Sequence, residues 1–556
     1  MKLKLKKQLG IGLIALFSFL LGSLWAGKAD ENAITISVIN QASKILGISF
    51  TDAEADSMIL ELDDQRKSIA ELQKLNLENA VSPSLKFDPI PAGYQFPDQT
   101  NGFKLAPVSQ VNLPTNKDDL AFYTIRQLSE LIRTRKISSQ ELTQFYIDRL
   151  KKYNPKLLNV VTFTEDLAMK QAKQADAEIK AGKYRGVLHG IPYGVKDLLS
   201  VKGYKTTWGS VPYQNQVIDT DATVVKRLEA AGAVLLAKLS LGELAMGDVW
   251  FGGTTKNPWN ITRGSSGSSA GSASAVSAGC LPFAIGSETL GSIVSPSTEC
   301  GTTGLRPTFG RISKTGAMAL SWSMDKLGPI TRSVEDCAIV FQAIQGIDEK
   351  DRSTIAAPFN YDGRKTMKGL KIGYLAKDFK RRYANRANDS LTLVKLKDLG
   401  AELVPIELPD LPYNAISIVL TAECGAAFQE LVISGKDDLM VRQGKNAWPN
   451  TFRAAQFIPA AAYINANRAR SILIEQLNQK LKGIDLYISP AFGPNLTATN
   501  LSGHPALVLP NGFNSLGLPT SITFMGQLFG EGKLLQAAQA YQQATDFHLK
   551  RPSMAF

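Results

Sequence analysis

One lysine and a run of serines have the types and spacing to do chemistry in this sequence. The lysine is Lys196, which closes the apolar turn Gly190-Ile191-Pro192-Tyr193-Gly194-Val195-Lys196-Asp197. The serines lie in residues 264–301, where Gly, Ser and Ala dominate and the charged residues are Glu288 and Glu299. A lysine in water is protonated up to about pH 10.4 and cannot act as a base. Burial withdraws solvation from the charged form and lowers that value. A lone lysine is as readily half of a surface salt bridge, so Lys196 carries meaning only with its surroundings. The serine-rich stretch reads at first as a flexible linker. Its apolar run at 273–285 (ASAVSAGCLPFAI) argues instead for a buried segment of small residues with hydroxyls at fixed places.

Three serine chemistries fit parts of this pattern. Gly267-Ser268-Ser269-Ala270-Gly271 matches a nucleophile elbow centred on Ser269, with His504 or His548 following as base. An elbow needs a strand directly before the serine, and the preceding TKNPWNITRGSS is turn-rich and contains Pro258. Ser323-Met324-Asp325-Lys326 matches a Ser-x-x-Lys motif and Lys314-Thr315-Gly316 its companion, but in reversed order. The third chemistry joins a lysine base to two serines.

Composition removes other classes. The chain has 556 residues, 44% of them hydrophobic and 20% charged, which is a globular composition. Its three histidines (His189, His504, His548) are too few for a His-rich metal centre. Cys280, Cys300, Cys337 and Cys424 form no Cys-x-x-Cys pair and read as buried thiols. No metal or organic cofactor is implied. Of the formal net charge of +12, five charges come from lysines before Asp30, and no dense basic run occurs, so a nucleic-acid partner is not expected.

Those lysines belong to an export signal. Lys2 to Lys7 form a basic start, residues 9–27 carry no charge, and Gly27 and Ala29 stand at plausible −3 and −1 cleavage positions. Residues 1–29 therefore read as a signal peptide, or as a membrane anchor if uncleaved, and the chain as exported, periplasmic or secreted. Residues 30–117 read as a helical preface and linker: Thr51 and Glu54 fit a capping box, and Pro83, Pro89 and Pro91 break the pattern that follows.

The elements that must position Lys196 and the serines follow from residue 118 onward. Thr124 with Gln127 and Ser138 with Glu141 are further capping boxes. Helical periodicity covers 165–181, a short face at Val224, Val225 and Leu228, and 391–399. Strand-like runs occupy 233–239, 402–408, 486–488, 506–509 and 521–524. Alternation with short connections predicts an α/β fold, a sheet covered by helices.

The same stretches resemble the amidase signature family of serine hydrolases. The motifs are GVLHGIPYGVKDL at 186–198, NPWN at 257–260, GSSAGSASAVSAG at 267–279, GSETLGSIVSPSTECGTTGLRPTFGRIS at 286–313, SMDKLGPITRSVED at 323–336 and NLSGHPALVLPNGF at 500–513. The resemblance covers about residues 124–552. It implies the amidase-signature fold over 118–552, a mixed twisted sheet covered by helices on both faces, and a Ser-Ser-Lys triad with Lys196 as base, Ser268 as bridging serine and Ser292 as nucleophile. Ser265, in the neighbouring Gly264-Ser265-Ser266, is a decoy. It further implies an oxyanion hole from the backbone N–H groups of Thr289, Leu290, Gly291 and Ser292. The implied reaction is hydrolysis of a small-molecule amide, at a linear rather than a peptide C–N bond, through an acyl-enzyme. Two alternatives stand: the glutaminase-type subunit of a tRNA-dependent amidotransferase, and an inactive binding protein of the same fold. The commoner pattern GTDTGGSIR reads GSETLGSIV here, so Glu288, Leu290 and Val294 are departures. Asp197, Asp325, Arg332 and Asp336 are read as ion pairs or caps, and His189 as a packed turn residue. Substrate and oligomeric state stay open.

Overall fold

The computed structural model describes residues 33–75, 77–98 and 100–555, so the expected export signal at 1–29 lies outside the described residues. Chain contacts divide the protein at Leu77/Glu78 into two compact units. Within the first, the helices Ile36–Leu46 and Asp52–Gln73 are each N-capped by a threonine, and Thr51 and Glu54 form the expected capping box.

The second unit is built on an 11-stranded sheet. Its order is Glu402–Ile406, Lys371–Leu375, Leu486–Pro490, Pro519–Gly526, Ala506–Phe513, Thr303–Arg306, Lys326–Thr331, Phe283–Glu288, Pro192–Lys196, Val234–Leu239 and Val160–Phe163. Three neighbouring strands near one edge, Phe283–Glu288, Pro192–Lys196 and Val234–Leu239, are parallel; the five from Leu486–Pro490 to Lys326–Thr331 alternate antiparallel. Successive strand residues point to opposite faces. In Pro192–Lys196, Val234–Leu239, Phe283–Glu288 and Lys326–Thr331 every residue is buried, so both faces of the sheet are covered, as expected.

The capping boxes at Thr124/Gln127 and Ser138/Glu141 open the helices Ile125–Arg133 and Ser139–Leu157. Gly, Ser and Ala in residues 264–301 are not a linker. They form a fully buried helix, Ala270–Ser277, the central strand Phe283–Glu288 and the helix Val294–Cys300. Small residues are used because backbones approach closely: a Cβ at Gly267 would lie 1.9 Å from the carbonyl oxygen of Gly247. The stretch after Glu78, expected as linker, is held to the sheet unit instead. Gly102–Lys104 pairs in parallel with Asn360–Asp362, and the Tyr94 hydroxyl donates to Leu528 O at 2.6 Å. Its polar composition hides this, because the bonds run through backbone and single side chains.

The parallel strands end together, and the carboxyl ends of parallel strands are where α/β sheets place ligand sites. A buried ion pair ties two of these ends: Lys238 Nζ lies 2.7 Å from Asp197 Oδ1, both side chains fully inaccessible. Lys238 also donates to Lys205 O and Thr206 Oγ1, each at 2.6 Å. Removing one partner leaves a buried charge alone. Asp197→Ala is therefore expected to lose about 3–5 kcal/mol of unfolding free energy in urea denaturation, against about 1 kcal/mol for Thr124→Ala at a helix cap.

Candidate active site

Lys196 is the last residue of its strand and is fully buried. Its amine nitrogen faces serine oxygens: Ser268 Oγ at 2.7 Å, Ser287 Oγ at 2.8 Å, Ser269 Oγ at 3.3 Å and Ser287 O at 3.5 Å. No carboxylate comes within ion-pair distance of it among the described residues. Burial brings its pKa down to about 7, with the more distant Asp325 and Glu288 charges pulling the other way.

Ser268 is 1% exposed and follows a cis peptide after Gly267. Ser269 braces the site from behind. Its Oγ donates to Ser287 O at 3.0 Å and accepts from Ser287 N at 3.1 Å, and its N–H donates to Ser292 O at 3.1 Å. Ser269 therefore ties the helix Ala270–Ser277 to the end of the central strand and to the turn carrying Ser292.

That turn, Thr289 to Ser292, links Phe283–Glu288 to the helix Val294–Cys300. Gly291 sits at φ +85°, in the left-handed region. None of the four N–H groups of Thr289, Leu290, Gly291 and Ser292 donates to a protein acceptor among the described residues. Buried backbone N–H groups are nearly always paired. A run of free donors in a tight turn makes a concavity suited to an anion or a developing oxyanion. Ser292 is 8% exposed, more than either Ser268 or Ser269. Its Oγ makes no hydrogen bond to Ser268 Oγ among the described residues.

Two carboxylates frame the turn. Glu288 Oε2 accepts from Ile293 N at 2.8 Å and Val294 N at 2.9 Å, while Oε1 accepts from Arg306 Nη1 at 2.7 Å and Asn500 Nδ2 at 2.8 Å. Burial alone would raise the Glu288 pKa; the Arg306 guanidinium and the N–H donors outweigh it and hold the carboxyl down at about 2. A guanidinium beside this carboxylate thus comes from Arg306, although position 294 is a valine. Asp325 Oδ1 accepts from Thr289 Oγ1 at 2.6 Å, and its Oδ2 accepts from Leu320 N at 2.8 Å and Ser321 N at 3.0 Å.

The structure thus brings Lys196, Ser268 and the 289–292 turn together and leaves the rival motifs apart. Ser265 Oγ donates to Ser266 O and makes no contact with Lys196. Ser269 has no histidine beside it: His504 Nδ1 bonds Ser502 Oγ, and burial drives its pKa down to about 3. Ser323 is held by Glu423 and Arg470, and Lys326 donates to Met324 O, so the Ser-x-x-Lys pattern joins nothing. Asp197 is an ion pair and Asp336 accepts from the first helical N–H of Ile125, as expected. Arg332 pairs with no acid but caps, as expected: it donates to the carbonyl of Val276 in the last turn of the helix Ala270–Ser277, and also to those of Leu281 and Tyr123. Asp325 caps the backbone N–H groups of Leu320 and Ser321 and in addition touches Thr289. Ser287 was not among the expected site residues, and Ser269 entered only as the centre of a nucleophile-elbow pattern. Their adjacency to Ser268 and Glu288 was the available signal; that both meet the lysine is a tertiary fact. The four cysteines are free and buried.

The Amidase family model matches residues 141–498, more than half of the chain. The chain belongs to the Amidase family, and the class of protein that fold and family define is a hydrolase of amide bonds. Among its relatives is a glutamyl-tRNA(Gln) amidotransferase subunit from Marinomonas sp. (strain MWYL1), 34% identical over 481 residues, covering 78% of this chain and 99% of that protein. The native peptide amidase of Stenotrophomonas maltophilia superimposes with a TM-score of 0.70 at 30% identity, covering 79% of this chain and 100% of that one. A bacterial aryl acylamidase shares the fold, with a TM-score of 0.69 at 22% identity, covering 78% of this chain and 99% of that one.

A buried amine without a counter-ion is costly. The folded Lys196 pKa of about 7 lies below its unfolded value of 10.5. The unfolded chain therefore binds more protons between these pH values, and stability from this group rises with pH across that window. Lys196→Met is expected to stabilise the protein by a few kcal/mol at pH 6–7, since each tenfold change in proton affinity is worth about 1.4 kcal/mol. The gain should vanish as pH passes about 10.5, the unfolded value, which chemical denaturation at several pH values would read.

Proposed function

We propose that the protein hydrolyses a small-molecule amide through a serine acyl-enzyme, with Lys196, Ser268 and Ser292 as the catalytic residues. The observation that carries this reading is a fully buried lysine with no carboxylate in ion-pair reach among the described residues, bonded to a serine hydroxyl beside a turn of unpaired N–H donors.

Neutral Lys196 accepts the Ser268 proton, and Ser268 Oγ takes the proton of Ser292 as Ser292 Oγ attacks the amide carbon. The carbonyl oxygen gains the negative charge and is received by the N–H groups of Thr289 to Ser292; one such donor is worth roughly 10²–10³ in rate. The tetrahedral species collapses by breaking its C–N bond. Ser268 passes a proton to the leaving nitrogen and is itself reprotonated by the Lys196 ammonium. Water then attacks the acyl-enzyme by the same relay, releasing the acid and regenerating Ser292. The hydrogen bond between Ser268 and Ser292, open in the free protein, closes in the substrate complex, as catalytic hydrogen bonds often do. Asp325 and Glu288 act as positioning residues on the two sides of the turn. The basic start and uncharged core of residues 1–29 support export to the periplasm or medium, which mass spectrometry of the mature chain would test.

A second reading is favoured by the 34% identity to amidotransferase subunits: glutamine amide hydrolysis inside a multisubunit enzyme. The basic start and uncharged run of residues 1–29, read as an export signal, favour the stand-alone amidase. Purification of the chain in a complex with partner subunits would favour the second reading.

A fluorophosphonate is expected to label Ser292. Unchanged labelling in Ser292→Ala would defeat the assignment, and absence of both labelling and turnover in a folded protein would indicate a binding protein. kcat/KM is expected to rise through pH 7 and to fall about tenfold for each pH step below it, since only neutral Lys196 can accept a proton. Lys196→Met should abolish that limb together with nearly all activity.

A further inference from the structure

A strap from Asn79 to Phe87 borders the site and lies outside the family match. One end is pinned by the Asn79 side-chain amide, which donates to Ala319 O at 2.8 Å and accepts from Ala319 N at 2.7 Å, as a neighbouring strand would. The other end is pinned by Phe87, whose ring centroid lies 3.5 Å from the guanidinium carbon of buried Arg470 and 5.0 Å from the Phe309 ring. Between the pins the strap walls two chambers. The inner one, about 140 Å³, is lined by Ala80 and Ser82 of the strap, by apolar Leu198, Ala245 and Leu327, and by Ser287 and Thr289 of the site, with two carboxylates (Asp325, Asp351) balanced by two lysines (Lys314, Lys350) on its wall. The outer one, about 490 Å³, opens toward the surface and shares Ser82, Lys314, Trp322, Lys350 and Asp351 with the inner.

The outer chamber carries uncompensated positive charge. Lys86, Lys350, Arg352 and Arg468 line it, and none of them forms an ion pair among the described residues; Asp88 alone opposes them there without a cation of its own. Asp351, which accepts from Lys314 N and Ser353, and Glu423, which accepts from Ser321, Ser323 and Tyr463, also line it; with Lys314 and Arg470 on the same wall, six cations face three carboxylates among the described residues. On the wall common to both chambers the Trp322 indole N–H is buried and has no acceptor among the described residues. A lone buried donor is a cost unless something accepts from it.

We propose that the strap completes a substrate passage selecting amides whose acyl chain ends in a carboxylate. The reading rests on the amidase assignment. The inner chamber is close in size to an apolar cavity of about 150 Å³ that holds benzene, so it seats roughly six heavy atoms beside the scissile carbonyl. A carboxylate beyond such a spacer reaches the Trp322 donor and the cations outside. An excess of one sign of charge in a partly enclosed cleft raises the local concentration of the opposite ion.

The test compares ω-carboxyacyl p-nitroanilides of increasing chain length with unsubstituted acyl p-nitroanilides of equal length. Expected is a kcat/KM ratio of about ten or more in favour of the carboxylates at low ionic strength, falling toward one in about 1 M salt, with the largest ratio at an intermediate spacer. The double reversal Lys350→Glu/Arg352→Glu lies at exposed positions and should lower that ratio about tenfold; a ratio is insensitive to the fraction of protein folded. Equal kcat/KM for the two series, or a ratio untouched by charge reversal, would overturn the proposal. If nothing is cleaved and the fluorophosphonate does not label Ser292, the amidase reading has failed by itself. Calorimetric titration of the Ser292→Ala protein with each series then decides the anion site, since equal affinity would overturn it and tighter carboxylate binding would sustain it.

Discussion

A single amine deprived of both water and a counter-ion governs the architecture around it. The interior disfavours a charged Lys196, and nothing within ion-pair reach among the described residues restores the lost solvation. What surrounds it instead is oxygen with dipoles rather than charge: three serine hydroxyls and one carbonyl. Such an environment hydrogen-bonds either protonation state and insists on neither, which is the property a proton relay near neutral pH requires. The contrast with Lys238 is instructive. It lies on the neighbouring strand, equally inaccessible, yet it is committed to Asp197 and so is structural. Placing the acid after Lys196 in sequence, but turned toward the other lysine, keeps the two roles separate.

The small residues of 264–301 follow from that requirement. Four oxygens can converge on one nitrogen only if the helix Ala270–Ser277, the strand Phe283–Glu288 and the turn to Ser292 approach at backbone distance. Glycine and serine permit it, and the contact at Gly267 leaves no room for a methyl group. The departures from the commoner family pattern are absorbed here. Glu288 reaches the N–H groups that open the helix Val294–Cys300 and still meets a guanidinium, supplied by Arg306. Leu290 contributes a backbone donor whatever its side chain, since the N–H does not depend on residue type.

Outside this centre the chain adds material beyond the family match. The strap beginning at Asn79 exchanges two hydrogen bonds with the backbone of Ala319, in the loop that also presents Asp325 to Thr289. One loop therefore faces the turn of free N–H donors on one side and the added strap on the other. A family scaffold can acquire new selectivity in this way without altering the relay, because the two contacts use different atoms of the same segment.

Local rules were enough to read much of the fold from the sequence. Three capping boxes opened helices where Thr51, Thr124 and Ser138 stood, and the strand-like runs at 233–239, 402–408 and 486–488 marked the strands Val234–Leu239, Glu402–Ile406 and Leu486–Pro490. These signals act within a few residues, so they survive without knowledge of the fold. Resemblance to the amidase signature family, rather than any local rule, grouped Lys196, Ser268 and the 289–292 turn as one candidate set. What the sequence could not settle involved contacts between distant segments. Ser287 and Ser269 beside the amine, Arg306 against Glu288, Asp325 against Thr289, and the strap held by Asn79 each join residues from different segments of the chain. Hydrogen bonds of that kind depend on which strands neighbour one another in the sheet, and strand order is decided by packing the whole domain rather than by any window of it.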